Sequence, residues 1–222
     1  MEPTETLAGL TLAEFSEQLA SGEPVPGGGS ASAVVGSLAG SLLAMVARLS
    51  LDRPKYEPHR ATIEQALAAG EHGRLRLLAL AEEDAAAYSR FAAAMKLPRE
   101  TEAEQTARTE RMRAAARAAS EVPLAVVREC AILLDQLEAM AGRSNTNAAS
   151  DLEVGGRLAL AAARGAAANV MINLPFVDDA RYTGAVTAEL NGLLETIERD
   201  SLSVSRRVAG GGLREPETAQ PA

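Results

Sequence analysis

From His59 to Met95, apolar residues recur at Ile63, Leu67, Leu78, Ala81, Ala85, Tyr88, Ala92 and Met95. That spacing lays them along one face of an α-helix and does not fit the alternation of a strand. Gly70 and Gly73 are weak points inside this segment, and Leu97-Pro98 ends it. Upstream, Thr11 and Glu14 form a capping box, with Leu10 and Phe15 as the flanking hydrophobic pair, and Ser21-Gly22 ends that short helix. An uncharged helix is expected over residues 29–50, closed by the two prolines of "LDRPKYEP". Thr101 with Glu104 is a second capping box, opening a helix to Met140 that Pro123 should disturb. After the polar loop "AGRSNTNAAS", Ser150 with Glu153 reads as a third box before an Ala-rich helix ending near "NVMINLP". A last helix is expected over Tyr182–Val208. No stretch alternates in the manner of a strand. The pattern predicts an all-α bundle of long helices, one domain over residues 1–209, with a polar, disordered Gly- and Pro-containing tail over 210–222.

Composition sharpens the picture. The apolar fraction is 47%, but aromatics supply only 3%. A core made of Ala with some Leu and Val needs closely approaching backbones, which helices provide, and Ala is the best helix former. Burying the Ala-rich faces of such long helices calls for a partner subunit, most simply a twofold homodimer. The formal net charge is −8, with no block of Lys and Arg, which argues against a nucleic-acid partner. The single Cys130 lies in "VVRECAILL" and reads as a small buried hydrophobe. His and Cys do not cluster at metal-ligand spacing, so no metal is expected. The start "MEPTETLAGL" is acidic and lacks a signal-peptide core, so a cytoplasmic location is expected.

The stretch from Pro24 to Leu49, "PVPGGGSASAVVGSLAGSLLAMVARL", admits three readings. A phosphate loop needs a Lys followed by Ser or Thr and a preceding strand; neither is here. Residues 28–47 are uncharged and contain Gly36 and Gly40 as a G-x-x-x-G pair, which fits a membrane span in length. Yet Ser30, Ser32, Ser37 and Ser41 lower the hydrophobicity, and a helix apolar all round can equally be the centre of a bundle, so no membrane partner is expected. In the third reading, Gly27, Gly28 and Gly29 bare the backbone for a flat ligand, the following helix offers free N–H groups, and Ser30 caps the helix or donates to a ligand. Spacing alone admits both this site and a loop that merely allows two helices to pack closely.

The same residues carry a resemblance. "PVPGGGSASAVVGSLAGSLLAMVARLS" resembles the signature of the cyclodeaminase/cyclohydrolase family. The likeness continues through "KYE" (55–57), "EEDAAAYSRFAAAMKLP" (82–98), "VPLAV" (122–126), "NTNAASD" (145–151) and "GAAANVMIN" (165–173). It spans residues 10–208, and the order and spacing of these segments make it specific. It implies an all-helical homodimer acting on tetrahydrofolate one-carbon units. One implied reaction closes 5-formimino-tetrahydrofolate to 5,10-methenyl-tetrahydrofolate with release of ammonia; the related one hydrolyses the methenyl compound to 10-formyl-tetrahydrofolate. A non-catalytic folate-binding or structural scaffold is the alternative.

The implied reactions pass through a tetrahedral carbon between N5 and N10 and need no redox cofactor. They need a proton shuttle, a carboxylate near the cationic bridge and alignment of N10. Asp84, in an apolar helix segment where burial raises its pKa, and Asp151, at a helix start, are the candidate carboxylates. Either can instead be an ordinary helical charge. Lys55 is the candidate proton donor or holder of the glutamate tail, with Tyr56 beside it. Asn145 and Asn147 can read the donor and acceptor edge of a pterin, or serve only turn geometry. Asn169 and Asn173, four apart, share a face and must find partners there. Tyr88 shares a face with Asp84 and is expected to fill the core.

Overall fold

A computed structural model describes residues 6–216; residues 1–5 of the acidic N-terminal segment and residues 217–222 lie outside the described residues. Among the described residues there is no strand. Within the described residues six α-helices follow one another: α1 Leu12–Leu19, α2 Gly28–Leu51, α3 Arg60–Met95, α4 Glu102–Met140, α5 Ala149–Asn173 and α6 Ala180–Gly210. Short 3-10 turns at Pro54–His59, Thr146–Ala148 and Leu174–Phe176 join α2 to α3, α4 to α5 and α5 to α6. The chain runs up and down: α2 is antiparallel to α3 and α5, α4 packs between α3 and α5, and α6 lies on α4 and α5. α1 buries none of its residues, although its Thr11–Glu14 capping box forms as expected.

Small residues let α2 occupy the middle. A Cβ on Gly70 of α3 would fall 2.8 Å from the Gly40 carbonyl oxygen, and one on Gly40 would fall 3.0 Å from the Arg74 nitrogen. Gly73 leaves room for Leu133 of α4. Gly70 and Gly73, expected to weaken α3, therefore interrupt nothing; they are where neighbouring helices come closest. Gly36 and Gly40 of the G-x-x-x-G pair face α3, α4 and α5 in the same way. The 18-residue window of α2 that is apolar enough to cross a membrane is half buried in the bundle. Leu43, Leu77, Leu80, Leu133, Leu134, Leu137 and Leu152 complete the core. Cys130 is fully buried there, and desolvation, reinforced by the charge of Glu129, pushes its thiol up to about 12. It behaves as the small hydrophobe the sequence suggests.

Three local expectations are revised. The Ser150–Glu153 capping box does not form: the Asn145 side chain accepts from the Asn147 N–H and starts the 3-10 turn, so the helix has begun by Ala149. Glu153 instead pairs with Arg157 at 2.6 Å. α4 runs unbroken through Pro123 to Met140. At the C-terminal end, α6 stops at Gly211, in the left-handed region with φ +64°. The segment after it is tied down: the Arg214 N–H donates to the Gly142 carbonyl at 2.7 Å, and its guanidinium donates to the Glu138 carbonyl at 2.9 Å. The remainder of the expected tail, residues 217–222, lies outside the described residues.

Candidate functional site

The triple-glycine loop opens α2, with Gly27 as the N-cap residue. Glycine has no side chain to satisfy the first-turn N–H groups, so the cap comes from another helix. Asp84 of α3 places its carboxylate against Gly29; a Cβ there would sit 2.2 Å from Asp84 Oδ1. The Ser30 hydroxyl lies 3.0 Å from both Asp84 Oδ2 and the Ala81 carbonyl, and the Ser30 N–H also donates to the carboxylate. Gly29 is thus bare because a carboxylate occupies the space of its missing side chain.

Burial pushes the Asp84 carboxyl above its ordinary value, outweighing the hydrogen bonds from Ser30 that pull it down. A carboxyl shifted in this direction holds its proton more readily than an exposed one, which suits a group that takes up and returns a proton. The Ser30 hydroxyl has one proton and two acceptors. With Asp84 ionised it can donate to the carboxylate; with Asp84 protonated it can turn to the Ala81 carbonyl and accept instead.

A cavity of about 400 Å³ opens beside this pair, within the size range of small-ligand sites. Gly27, Gly28 and Gly29 form one wall, with Asp84 at the polar end. Tyr88, Phe91 and Met95 continue the Asp84 stripe of α3. Ile172 and Phe176 face them, and the Phe91 and Phe176 rings meet edge to face at 5.3 Å. Pro24, Val25, Asn169, Asn173 and Ala119 complete the lining. Tyr88, expected in the core, is instead 40% exposed and lines the cavity. Phe91, Phe176, Ile172 and Ala119 escape sequence reasoning. Phe91 is legible in hindsight, since Asp84, Tyr88, Phe91 and Met95 share one helical stripe. The others depend on how α4 and α5 pack.

The remaining candidates gather elsewhere. Lys55, Tyr56, Asn145, Asn147 and Asp151 lie near the far end of α2, and none lines the Asp84 cavity. A helix from Gly28 to Leu51 is roughly 35 Å long, so its two ends cannot share one pocket within a chain. At that end the Asn145 N–H donates to Ser50 Oγ at 2.9 Å, and Asn145 Nδ2 donates to the Leu49 carbonyl at 3.4 Å. Its Oδ1 accepts from the Asn147 N–H at 3.1 Å. Both ends of the Asn145 side chain thus take part in holding the loop. The Tyr56 hydroxyl accepts from the Thr146 N–H at 3.1 Å. Burial alone would raise this phenol, but the bonds with Thr146 and the charge of Lys55 outweigh it and hold it below its ordinary value. Lys55 Nζ stands 5.5 Å from the Tyr56 ring centre. Asp151 sits in the first turn of α5, where the helix dipole favours its negative charge.

Residues 11–192 match the family model described as formiminotransferase-cyclodeaminase. The chain is 35% identical over 184 residues to a methenyltetrahydrofolate cyclohydrolase of Methylorubrum extorquens, covering 83% of this chain and 88% of that one. It is 28% identical to the formimidoyltransferase-cyclodeaminase of Sus scrofa over 93% of this chain, but spans only 38% of that longer protein. Among solved structures, a formiminotetrahydrofolate cyclodeaminase of Thermotoga maritima superposes with a TM-score of 0.84 at 30% identity, covering 92% of this chain and 98% of that one.

Proposed function

The chain belongs to the formiminotransferase-cyclodeaminase family, and from that premise we propose that it is a tetrahydrofolate one-carbon enzyme of the cyclodeaminase/cyclohydrolase type. The observation that carries the reading is the Asp84 carboxyl, raised by burial and held by Ser30 at the end of a cavity lined by glycine backbone and aromatic rings. A flat reduced pterin fits between the glycine wall and the Tyr88–Phe91 wall.

Asp84 serves as the proton shuttle. In the hydrolysis, water adds to the cationic methenyl carbon and gives its proton to the Asp84 carboxylate. The tetrahedral carbon then breaks its bond to N5 as Asp84 returns the proton to N5, and the added hydroxyl loses its remaining proton to solvent, leaving the formyl C=O on N10. In the ring closure, N10 attacks the carbon of the protonated formimino group, and the N10 proton passes through Asp84 to the resulting amine, which leaves as ammonia. The carboxylate also faces the positive bridge in both reactions, where its charge is stabilising. Neither route calls for a metal or redox cofactor, because the methenyl carbon is already electrophilic.

The working form in this reading is a homodimer. The face of α2 turned away from the bundle carries Leu38, Met45 and Leu49, which are 46%, 37% and 44% exposed. A second copy crossing antiparallel over the middle of α2 covers this stripe and brings Lys55 and Asp151 of one protomer toward the glycine wall of its partner. In that arrangement Lys55 binds the glutamate tail of the folate. Sedimentation of the wild type and of Met45→Glu tests it: a dimer that the charge disrupts is expected, and a wild-type monomer would refute it.

The activity is tested by following the near-ultraviolet absorbance of 5,10-methenyl-tetrahydrofolate with and without protein, subtracting spontaneous hydrolysis. Faster loss identifies the cyclohydrolase. No acceleration there, with ammonia released from 5-formimino-tetrahydrofolate, identifies the cyclodeaminase. Failure of both overturns the enzymatic reading.

A further inference from the structure

We propose that Pro123 is a positioning residue of the cavity, acting through Asn173 to fix a hydrogen-bond acceptor that selects a ligand edge bearing N–H donors. In an α-helix the N–H of residue 123 would donate to the carbonyl of Ala119, four residues earlier. Proline has no N–H, and its ring pushes that carbonyl aside. α4 nevertheless runs on through Pro123, so the Ala119 carbonyl must find another donor. It finds one across the helix interface: Asn173 Nδ2 of α5 donates to the Ala119 carbonyl at 2.9 Å. The same Nδ2 donates to the Asn169 carbonyl at 2.9 Å.

Both amide hydrogens of Asn173 are therefore committed to carbonyl oxygens. Rotating the amide by half a turn would set its own oxygen against two others, so chemistry fixes the orientation. Its Oδ1 has no donor among the described residues, and Asn173 and Ala119 both line the cavity. Asn169, one turn earlier, is held at one point only: its Nδ2 donates one hydrogen to the Gly165 carbonyl at 2.9 Å, and its Oδ1 has no donor among the described residues. On the α5 wall, Asn173 thus has only its acceptor oxygen left to offer, whereas Asn169 keeps one N–H and its Oδ1.

A ligand edge that matches Asn173 must carry an N–H group. This step rests on the folate reading. A reduced pterin offers N–H at N8, at N3 and on its amino group, whereas the fully oxidised ring has no hydrogen on N8. Pro123 touches none of these atoms. Its contribution is the orphaned carbonyl that holds Asn173 in place.

The test is a double-mutant cycle with Pro123→Ala and Asn173→Ala, read as KM and kcat on 5,10-methenyl-tetrahydrofolate, or on 5-formimino-tetrahydrofolate if that is the one turned over. Alanine at 123 restores the N–H, which takes the Ala119 carbonyl and releases the Asn173 amide. Pro123→Ala is expected to raise KM about tenfold with kcat changed less than about threefold, and to add nothing in the Asn173→Ala background. Unchanged KM, or effects of the two changes that multiply, would overturn the proposal. Pro123→Gly also restores the N–H and replaces the alanine variant should that fail to fold. A second readout needs no ligand: the side-chain amide protons of Asn173, followed by nuclear magnetic resonance. Pro123→Ala is expected to shift one of them and speed its exchange; identical signals would overturn the proposal. A wild type inactive on both folates refutes the folate reading separately, while the amide signals still decide the role of Pro123.

Discussion

The two ends of α2 are built from similar materials and do different work. At the far end, serine, tyrosine and asparagine satisfy one another: Ser50, Tyr56 and both ends of the Asn145 side chain are bonded to backbone or neighbours. At the glycine end, the polar groups are held in place but not used up. Ser30 has two acceptors for one proton, Asp84 is desolvated, and Asn169 and Asn173 anchor their Nδ2 groups while leaving Oδ1 to the cavity. A polar cluster that closes on itself fixes a loop, whereas one anchored at one end and open at the other can recognise a ligand.

The largest test of this contrast is Asp84→Asn, which keeps shape and removes the proposed proton shuttle. Turnover is expected to fall about a thousandfold with the helical circular dichroism unchanged. Stability gives an independent check with a definite sign. Burial raises the folded-state pKa of Asp84 above its ordinary 3.8, so the folded protein holds that proton more tightly than the unfolded chain. The native state therefore loses stability as pH rises from about 4 through the raised value. At neutral pH, Asp84→Asn is expected to melt no lower than the wild type, with the benefit fading below pH ~4. A lower melting temperature at pH 7 would show that capping of α2 by the ionised carboxylate outweighs its desolvation.

Gly29→Ala comes next. Its Cβ would meet the Asp84 carboxylate at 2.2 to 2.6 Å, so the carboxylate must move. A displacement of about 1 Å is expected to lower kcat/KM by about a hundredfold. Gly28→Ala, whose Cβ would rest 3.6 Å from Asn169 Nδ2, is expected to leave the Asp84 pocket intact. Steady-state kinetics on the pair separates a wall that must be bare from one that tolerates a methyl.

At the other end, Asn145→Ala is expected to act on stability. Losing its bonds to Leu49 and Asn147 costs about 1–3 kcal/mol, lowering the melting temperature by several degrees while kcat changes less than about twofold. The smallest effect is expected from Lys55→Gln: a few-fold rise in KM for polyglutamylated substrate, smaller at high salt and smaller still for the monoglutamate.

Much of this was legible in the chain. Helical spacing in α3 and the capping boxes at Thr11 and Thr101 follow from local rules, and those elements formed as expected. The third box failed because an Asx turn five residues earlier had already begun the winding, a competition between two local signals that only the folded loop decides. Gly70 and Gly73 look like weak points along the chain because their value lies in Gly40 and Leu133, residues remote in sequence. The site divided similarly. Asp84, Ser30, the glycines, Asn169 and Asn173 were nameable from the chain and are brought together by it. Lys55, Tyr56, Asn145, Asn147 and Asp151 were nameable too, but the length of α2 separates them from the Asp84 cavity within one protomer.

What the sequence by itself determined is the helical architecture, the Ala- and Gly-rich close packing and the family signature, because each rests on spacing along the chain. What only tertiary structure decided is which polar groups remain open. Asp84 caps a helix that is not its own, and the proline that looked like a helix breaker gives Ala119's carbonyl to Asn173. Whether a side chain's hydrogen bonds are used up depends on neighbours that folding brings from tens of residues away.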